Sequence, residues 1–204
     1  MASLSRCKRQ RFSSVATVAS ALCGIALLGS RGTSAGLQKE RALIALARAA
    51  ADLDDRLLDA LRRAHAKATF FCIGEHVPRS ADAVRRAARE GHALQIHSWD
   101  HRAEQPMLEC CRRALESVAG VNPTLYHPPG SSEFLRNGER LRLAVVNPYD
   151  YLRPGEPELV RRVLLAAKPG SVVLLHAGVS ETIEALPGLI RSLSSRGFAF
   201  GVLQ

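Results

Sequence analysis

From Gly36 onward, short apolar runs alternate with longer stretches whose apolar residues recur every three or four positions. The short runs are "ATFFCIG" (68–74), "ALQI" (93–96), "PTLYH" (123–127), "LAVVN" (143–147), "SVVLLH" (171–176) and "FAFGVL" (198–203). They are continuously apolar rather than alternating, which predicts strands covered on both faces. The longer stretches predict helices. "DLDDRLLDALRRAHA" begins with three acids and ends basic, matching the helix dipole at each end. "SADAVRRAAREG" opens on a candidate N-cap, Ser80, and stops at Gly91. "QPMLECCRRALESVAG", "EPELVRRVLLAAKPG" and "TIEALPGLIRSLSSRG" follow the same grammar. Alternating strands and helices predict parallel strands with helices packed outside, an α/β fold without a second domain or internal repeat.

The polar residues gain meaning on that scaffold. His97, His127, Asn147 and His176 each stand at or just past the C-terminal end of a predicted strand. In parallel α/β folds these ends converge on the face where active sites are built. Groups far apart in sequence are thereby expected in one cleft.

Charge and composition change this picture little. The chain carries a formal charge of +9. Five basic residues and no acid fall within residues 1–35 (Arg6, Lys8, Arg9, Arg11 and Arg31), which accounts for more than half of that surplus. With aromatics at 5%, a concentrated basic surface with stacking side chains is missing, and nucleic acid is not an expected partner. Residues 1–35 themselves read as a signal peptide or N-terminal anchor: a basic start, an apolar run Val15–Gly29, and "TSA" before Gly36. The run is short for a membrane span, which needs about 20 residues. Export to the periplasm, cell envelope or medium is expected, with membrane contact only through this segment; 36–204 is then the functional domain. Removal of the signal would leave Cys72, Cys110 and Cys111, an odd set whose spacing matches no zinc motif.

"ALQIHSWDH" holds two histidines four residues apart, His97 and His101. If the chain turns helical there, both rings face one side and can hold one zinc ion; otherwise they are two histidines hydrogen-bonded at a helix start. A catalytic zinc needs a third protein ligand and an open position for water. Such an ion polarises a carbonyl and lowers the pKa of bound water to about 7, the requirements of amide or ester hydrolysis.

In order along the chain, "AKATFFCIG", "GHALQIHSWDH", "GVNPTLYHPPG", "KPGSVVLLHAG" and "ALPGLIRSLSSRGFAFGVL" resemble the polysaccharide deacetylase family, the NodB-like carbohydrate esterases of family 4. The resemblance runs from about Lys39 to the C-terminus. It implies a distorted (β/α) barrel, one that need not be complete, and metal-dependent removal of N-acetyl or O-acetyl groups from cell-envelope or chitin-like glycans. It implies Zn²⁺ or a similar divalent ion as cofactor and an acetylated polysaccharide or oligosaccharide as partner. His97 and His101 match the family's paired metal ligands. His176 matches its general acid, and Asp150 in "NPYDY" the carboxylate that orients that histidine. Leu174 matches the apolar wall of the acetate pocket, Tyr151 stands in place of a tryptophan, and Gly130 keeps the main-chain N–H of the oxyanion contact.

The family's first motif, Thr-Phe-Asp-Asp-Gly, supplies the catalytic base and the third ligand. Counting back from "RLLDAL" places it on Ile44, Ala45, Leu46, Ala47 and Arg48, so both aspartates are absent. Leu46 and Ala47 can neither bind zinc nor take a proton. Asp52, Asp54 and Asp55 read as acids at a helix N-terminus, with a displaced ligand as the alternative. His127 stands where an arginine is expected to hold the missing aspartate. Two functions therefore stand side by side: a deacetylase in which another group supplies the base, and an inactive homologue, a pseudoenzyme, that binds carbohydrate or is a gene remnant.

Overall fold

The computed structural model describes residues 41–47, 53, 55–102, 107–176 and 178–203. Nine strands form one sheet: β1 (Arg41–Ala47), β2 (Ala68–Ile73), β3 (Ala93–Ser98), β4 (Leu125–Tyr126), β5 (Leu135–Arg136), β6 (Glu139–Arg140), β7 (Ala144–Val146), β8 (Ser171–Leu175) and β9 (Ala199–Gly201). The helices are α1 (Asp55–Arg63), α2 (Ala81–Arg89), α3 (Leu108–Ala119), α4 (Glu156–Ala166) and α5 (Ser180–Ser195). The strands lie in the order β6-β5-β4-β3-β2-β1-β8-β7, with β9 paired to β1. Every pairing is parallel except β4–β5 and β5–β6. Among the described residues β6 and β7 end the order, so the sheet is an α/β barrel with an open seam.

The predicted strands are present but shorter at their edges: the runs 123–127 and 143–147 contribute only Leu125–Tyr126 and Ala144–Val146. Two features escape a reading by hydrophobic pattern. β1, "RALIALA", is rich in helix formers yet is paired to β2, β8 and β9. The β5–β6 hairpin turns at Asn137 (φ 52°) and Gly138 (φ 82°), the left-handed pair that a two-residue hairpin demands. The signal peptide or anchor lies outside the described residues, among which no helix is long and apolar enough to cross a membrane.

All six residues of β2 and all five of β8 are buried, as expected for strands covered on both faces. Alternation then sorts them. Phe70, Val173 and Leu175 join the large core beneath the helices, with Leu58, Leu61, Val84, Leu115, Leu186 and Leu189. Phe71, Val172 and Leu174 turn to the other side and pack with Leu125, Phe134 and Leu203 inside the barrel. Full burial of each such side chain stabilises by about 1.5–3 kcal/mol. Arg86 ties α2 to α1 through Asp55 Oδ1 at 2.6 Å and Asp59 Oδ1 at 2.5 Å, and also holds Glu90 at 2.7 Å. Asp55 thus serves helix packing, and the alternative role as a displaced ligand is not where the structure puts it.

The turn after β2 is tight for a definite reason. A Cβ on Gly74 would lie 2.5 Å from the Trp99 ring and 2.8 Å from the Cα of Cys111, so only glycine lets α3 and the turn after β3 approach. The Glu75 N–H donates to the Trp99 carbonyl at 3.0 Å across the same contact.

His92, just before β3, accepts a hydrogen bond from the Ala68 N–H at 3.1 Å through Nδ1. Burial, helped by the nearby Lys67 charge, pushes its pKa down to about 4. A histidine depressed on folding contributes stability that is present above pH 6.5 and is lost as pH falls through the folded value. Between pH 7 and pH 5 this group alone removes about 2 kcal/mol. Urea melts at the two pH values should show a smaller loss for His92→Asn than for the parent chain; equal losses would contradict it.

Candidate active site

β3 is apolar up to Ile96 and then ends in His97 and Ser98, which places an imidazole at the C-terminal rim of the sheet. Ser98 Oγ accepts the His101 N–H at 2.7 Å, and this short turn holds His101 in the left-handed region at φ 65°. The His97 and His101 rings lie 5.0 Å apart, inclined at 60°. His97 is buried and donates from Nδ1 to the carbonyl of His127 at 2.6 Å, which leaves its Nε2 lone pair toward the rim.

His127 follows β4, where its own N–H donates to the Ile96 carbonyl at 2.9 Å. Its Nδ1 donates to the Glu133 carbonyl at 2.7 Å. The ring is sandwiched between His97, at 5.2 Å and 21°, and Phe134, at 4.6 Å and 17°, with the Phe71 ring at its edge. His127 is a packed aromatic rather than a cation: burial, opposed by the bond to Glu133, lowers its pKa. Burial pushes His97 down to about 3; the charges of His127, His101 and His176 act in the same direction, and its bond to the His127 carbonyl opposes them. The fold therefore brings four histidines from three strand ends into one electrostatic neighbourhood.

His176 emerges from β8 opposite. Its main-chain N–H donates to Asp150 Oδ2 and its Nδ1 to Asp150 Oδ1, each at 2.7 Å. The Thr182 hydroxyl, in the first turn of α5, donates to Oδ2 at 2.7 Å. Asp150 is wholly buried and sits in a single 3₁₀ turn, Asp150–Leu152, between two left-handed residues, Tyr149 and Arg153. With Nδ1–H held by the carboxylate, Nε2 is the nitrogen His176 offers to a reacting group. Tyr151 sets its ring edge-on to His176 at 5.1 Å and remains 46% exposed. Leu174 lies buried beneath, in the barrel core, and Gly130 caps an exposed turn at φ 71°. Thr182 went unnoticed in the sequence, because a threonine in a first helical turn looks like any other.

The positions at which the family resemblance implies the third ligand, Leu46 and Ala47, are apolar. Strand register sets Leu46 beside Phe70 and Leu175, and Ala47 beside Phe71, at the C-terminal end of β1. Asp100 is engaged by Arg102, Asp55 by Arg86, and Asp52 and Asp54 lie outside the described residues. His127 does not substitute. Its Nδ1 is engaged by the Glu133 carbonyl, and among the described residues it forms no three-residue ligand group with His97 and His101. Among the described residues no three His, Cys, Asp or Glu side chains are placed to hold one ion. Among the described residues the donor set that remains, His97 with His101, does not fit a catalytic zinc site, which takes three protein ligands.

Residues 43–152 match the family model described as polysaccharide deacetylase. The chitooligosaccharide deacetylase of Rhizobium leguminosarum bv. trifolii is 30% identical over 177 residues, covering 71% of this chain and 80% of that protein. Peptidoglycan-N-acetylmuramic acid deacetylase PdaC of Bacillus subtilis is 26% identical over 156 residues, and the matched part is 33% of that longer protein. Among solved structures, a CE4 family pseudoenzyme from Bacillus anthracis superposes with a TM-score of 0.68 at 23% identity, covering 81% of this chain and 65% of that one. The fold, the family model and the sequence relatives agree, and this chain belongs to the polysaccharide deacetylase family.

Proposed function

We propose that this chain acts on acetylated cell-envelope or chitin-like glycans as a hydrolase of N-acetyl or O-acetyl groups, outside the cytoplasm. The observation that carries the reading is the Asp150–His176 pair. Asp150 fixes the tautomer through the bond from Nδ1 and anchors the residue through its main-chain N–H, while Thr182 steadies the carboxylate, so His176 offers Nε2 to a reacting group. In that role His176 passes a proton to the leaving nitrogen or oxygen as the carbonyl–heteroatom bond breaks and acetate departs. The other proton transfer, from the attacking water, also falls to His176, since Leu46 and Ala47 offer no base. Tyr151 and Leu174 form the apolar side of the acetyl site, and the Gly130 N–H is the donor toward the carbonyl oxygen.

Leu46 and Ala47 favour a second reading, glycan binding without turnover. Acetate release from N-acetylglucosamine oligomers and from acetylated peptidoglycan, measured beside glycan retention, separates the two. The hydrolase reading predicts release that falls about 100-fold or more in Asp150→Asn, with the fold retained. Retention of glycan with no release above a His176→Ala control assigns the second reading.

Among the described residues the geometry opposes tight binding of the divalent ion that family resemblance implies. Calorimetric titration of the full chain with Zn²⁺ should show no stoichiometric high-affinity site. Tight one-to-one binding lost in the His97→Ala, His101→Ala double variant would mean that a third ligand exists and would restore the metal-dependent route.

A further inference from the structure

A cavity of about 480 Å³ lies away from the histidines, lined by Ser132, Arg140, Val145, Asn147, Tyr149 and Arg162 among others. Arg140 belongs to β6 and Val145 to β7, so the cavity sits at the open seam, between the strands that end the sheet order. Its volume is within the range of small-molecule sites, roughly 300–1,000 Å³.

Two observations connect it with the Asp150–His176 pair. Tyr149 immediately precedes Asp150 and is held at φ 57°, a conformation that costs a bulky residue energy and is retained where a site demands it. Its main-chain N–H is satisfied by the Asn147 side-chain oxygen at 2.9 Å, which stabilises this turn. The ring is 49% exposed. Tyr149, Tyr151 and Leu152 together place three large apolar side chains in solvent on one short loop. The Tyr149 ring contacts Tyr151 at 6.1 Å, and Tyr151 contacts His176 at 5.1 Å. Two ring-to-ring steps therefore lead from the reacting imidazole to the cavity.

The lining selects the ligand class. Arg140 is paired with Glu133 at 2.9 Å and Arg162 with Glu158 at 2.8 Å, so the cavity does not present two uncompensated cations to a phosphate. What it offers is a flat aromatic face beside guanidinium, amide and hydroxyl groups. That combination suits an uncharged sugar, whose ring carbons stack on the aromatic while its hydroxyl and acetamide oxygens take hydrogen bonds.

We propose that the seam cavity is a second saccharide subsite, with Tyr149 as its stacking platform, that holds a sugar further along the chain whose acetylated unit lies at His176. The proposal rests on the glycan reading above, and adds that recognition depends on oligomer length. The test is calorimetric titration of the full chain with N-acetylglucosamine dimer and tetramer, for the parent, Tyr149→Ala, Tyr149→Phe and Arg140→Gln. The parent should bind the tetramer about tenfold more tightly than the dimer, an advantage equal to one stacked aromatic contact. Tyr149→Ala should erase that advantage and keep dimer affinity within about twofold. Tyr149→Phe should retain it, and Arg140→Gln should reduce it, with circular dichroism showing each variant folded. Equal affinity for dimer and tetramer in the parent overturns the subsite, as does an advantage that survives Tyr149→Ala; either leaves the glycan reading standing. Absence of binding to both oligomers overturns the glycan reading together with the subsite.

Discussion

The fold is organised around β1. Its Ile44–Ala47 segment is bonded to β2, its Leu43–Leu46 segment to β8, and its first residues, Arg41–Leu43, to β9. Leu203, just beyond β9, donates its N–H to the Thr69 hydroxyl of β2, so the last strand is also fastened to the sheet's second. A strand in this position determines where the ends of its neighbours come to rest. His97 stands one strand further out along β3, and His176 follows β8, the neighbour on the other side.

The same constraint explains how chemistry can be lost without loss of architecture. The family resemblance implies two carboxylates at the end of β1, groups that are costly to hold among apolar strands unless a cation or ligand compensates them. Leu46 and Ala47 suit a central parallel strand far better. Their presence agrees with the rest of the cleft: His127 stacks between His97 and Phe134, and its burial disfavours the charged ring. The His97 side of the cleft has taken the form of ordinary core packing. The opposite side has not, since Asp150 still accepts three hydrogen bonds at 2.7 Å. Maintaining a buried carboxylate with all its partners is a standing cost that an apolar replacement would avoid.

Much of this was legible before any coordinates. The all-apolar runs at β2 and β8 announced strands buried on both faces, and His97, His127 and His176 fall at strand ends as the pattern predicted. β1 was not legible as a strand because alanine and leucine favour helix locally, and only pairing with three neighbours overrides that preference. The β5–β6 hairpin was missed for the opposite reason. Its Asn137-Gly138 turn is a strong local signal, but arms of two residues are too short to show alternation. Thr182 could not be found at all, since its importance comes from Asp150, a residue 32 positions away.

The open seam also bears on how the molecule behaves in a crowded solution. A barrel that fails to close leaves two strand borders whose amides and carbonyls can template the addition of a foreign strand. Here those borders are kept brief and unattractive. β6 is two residues long, both charged and exposed, Glu139 and Arg140, and β7 is three. Short, charged margins give another chain little to zip onto, so incompleteness need not carry a tendency to aggregate.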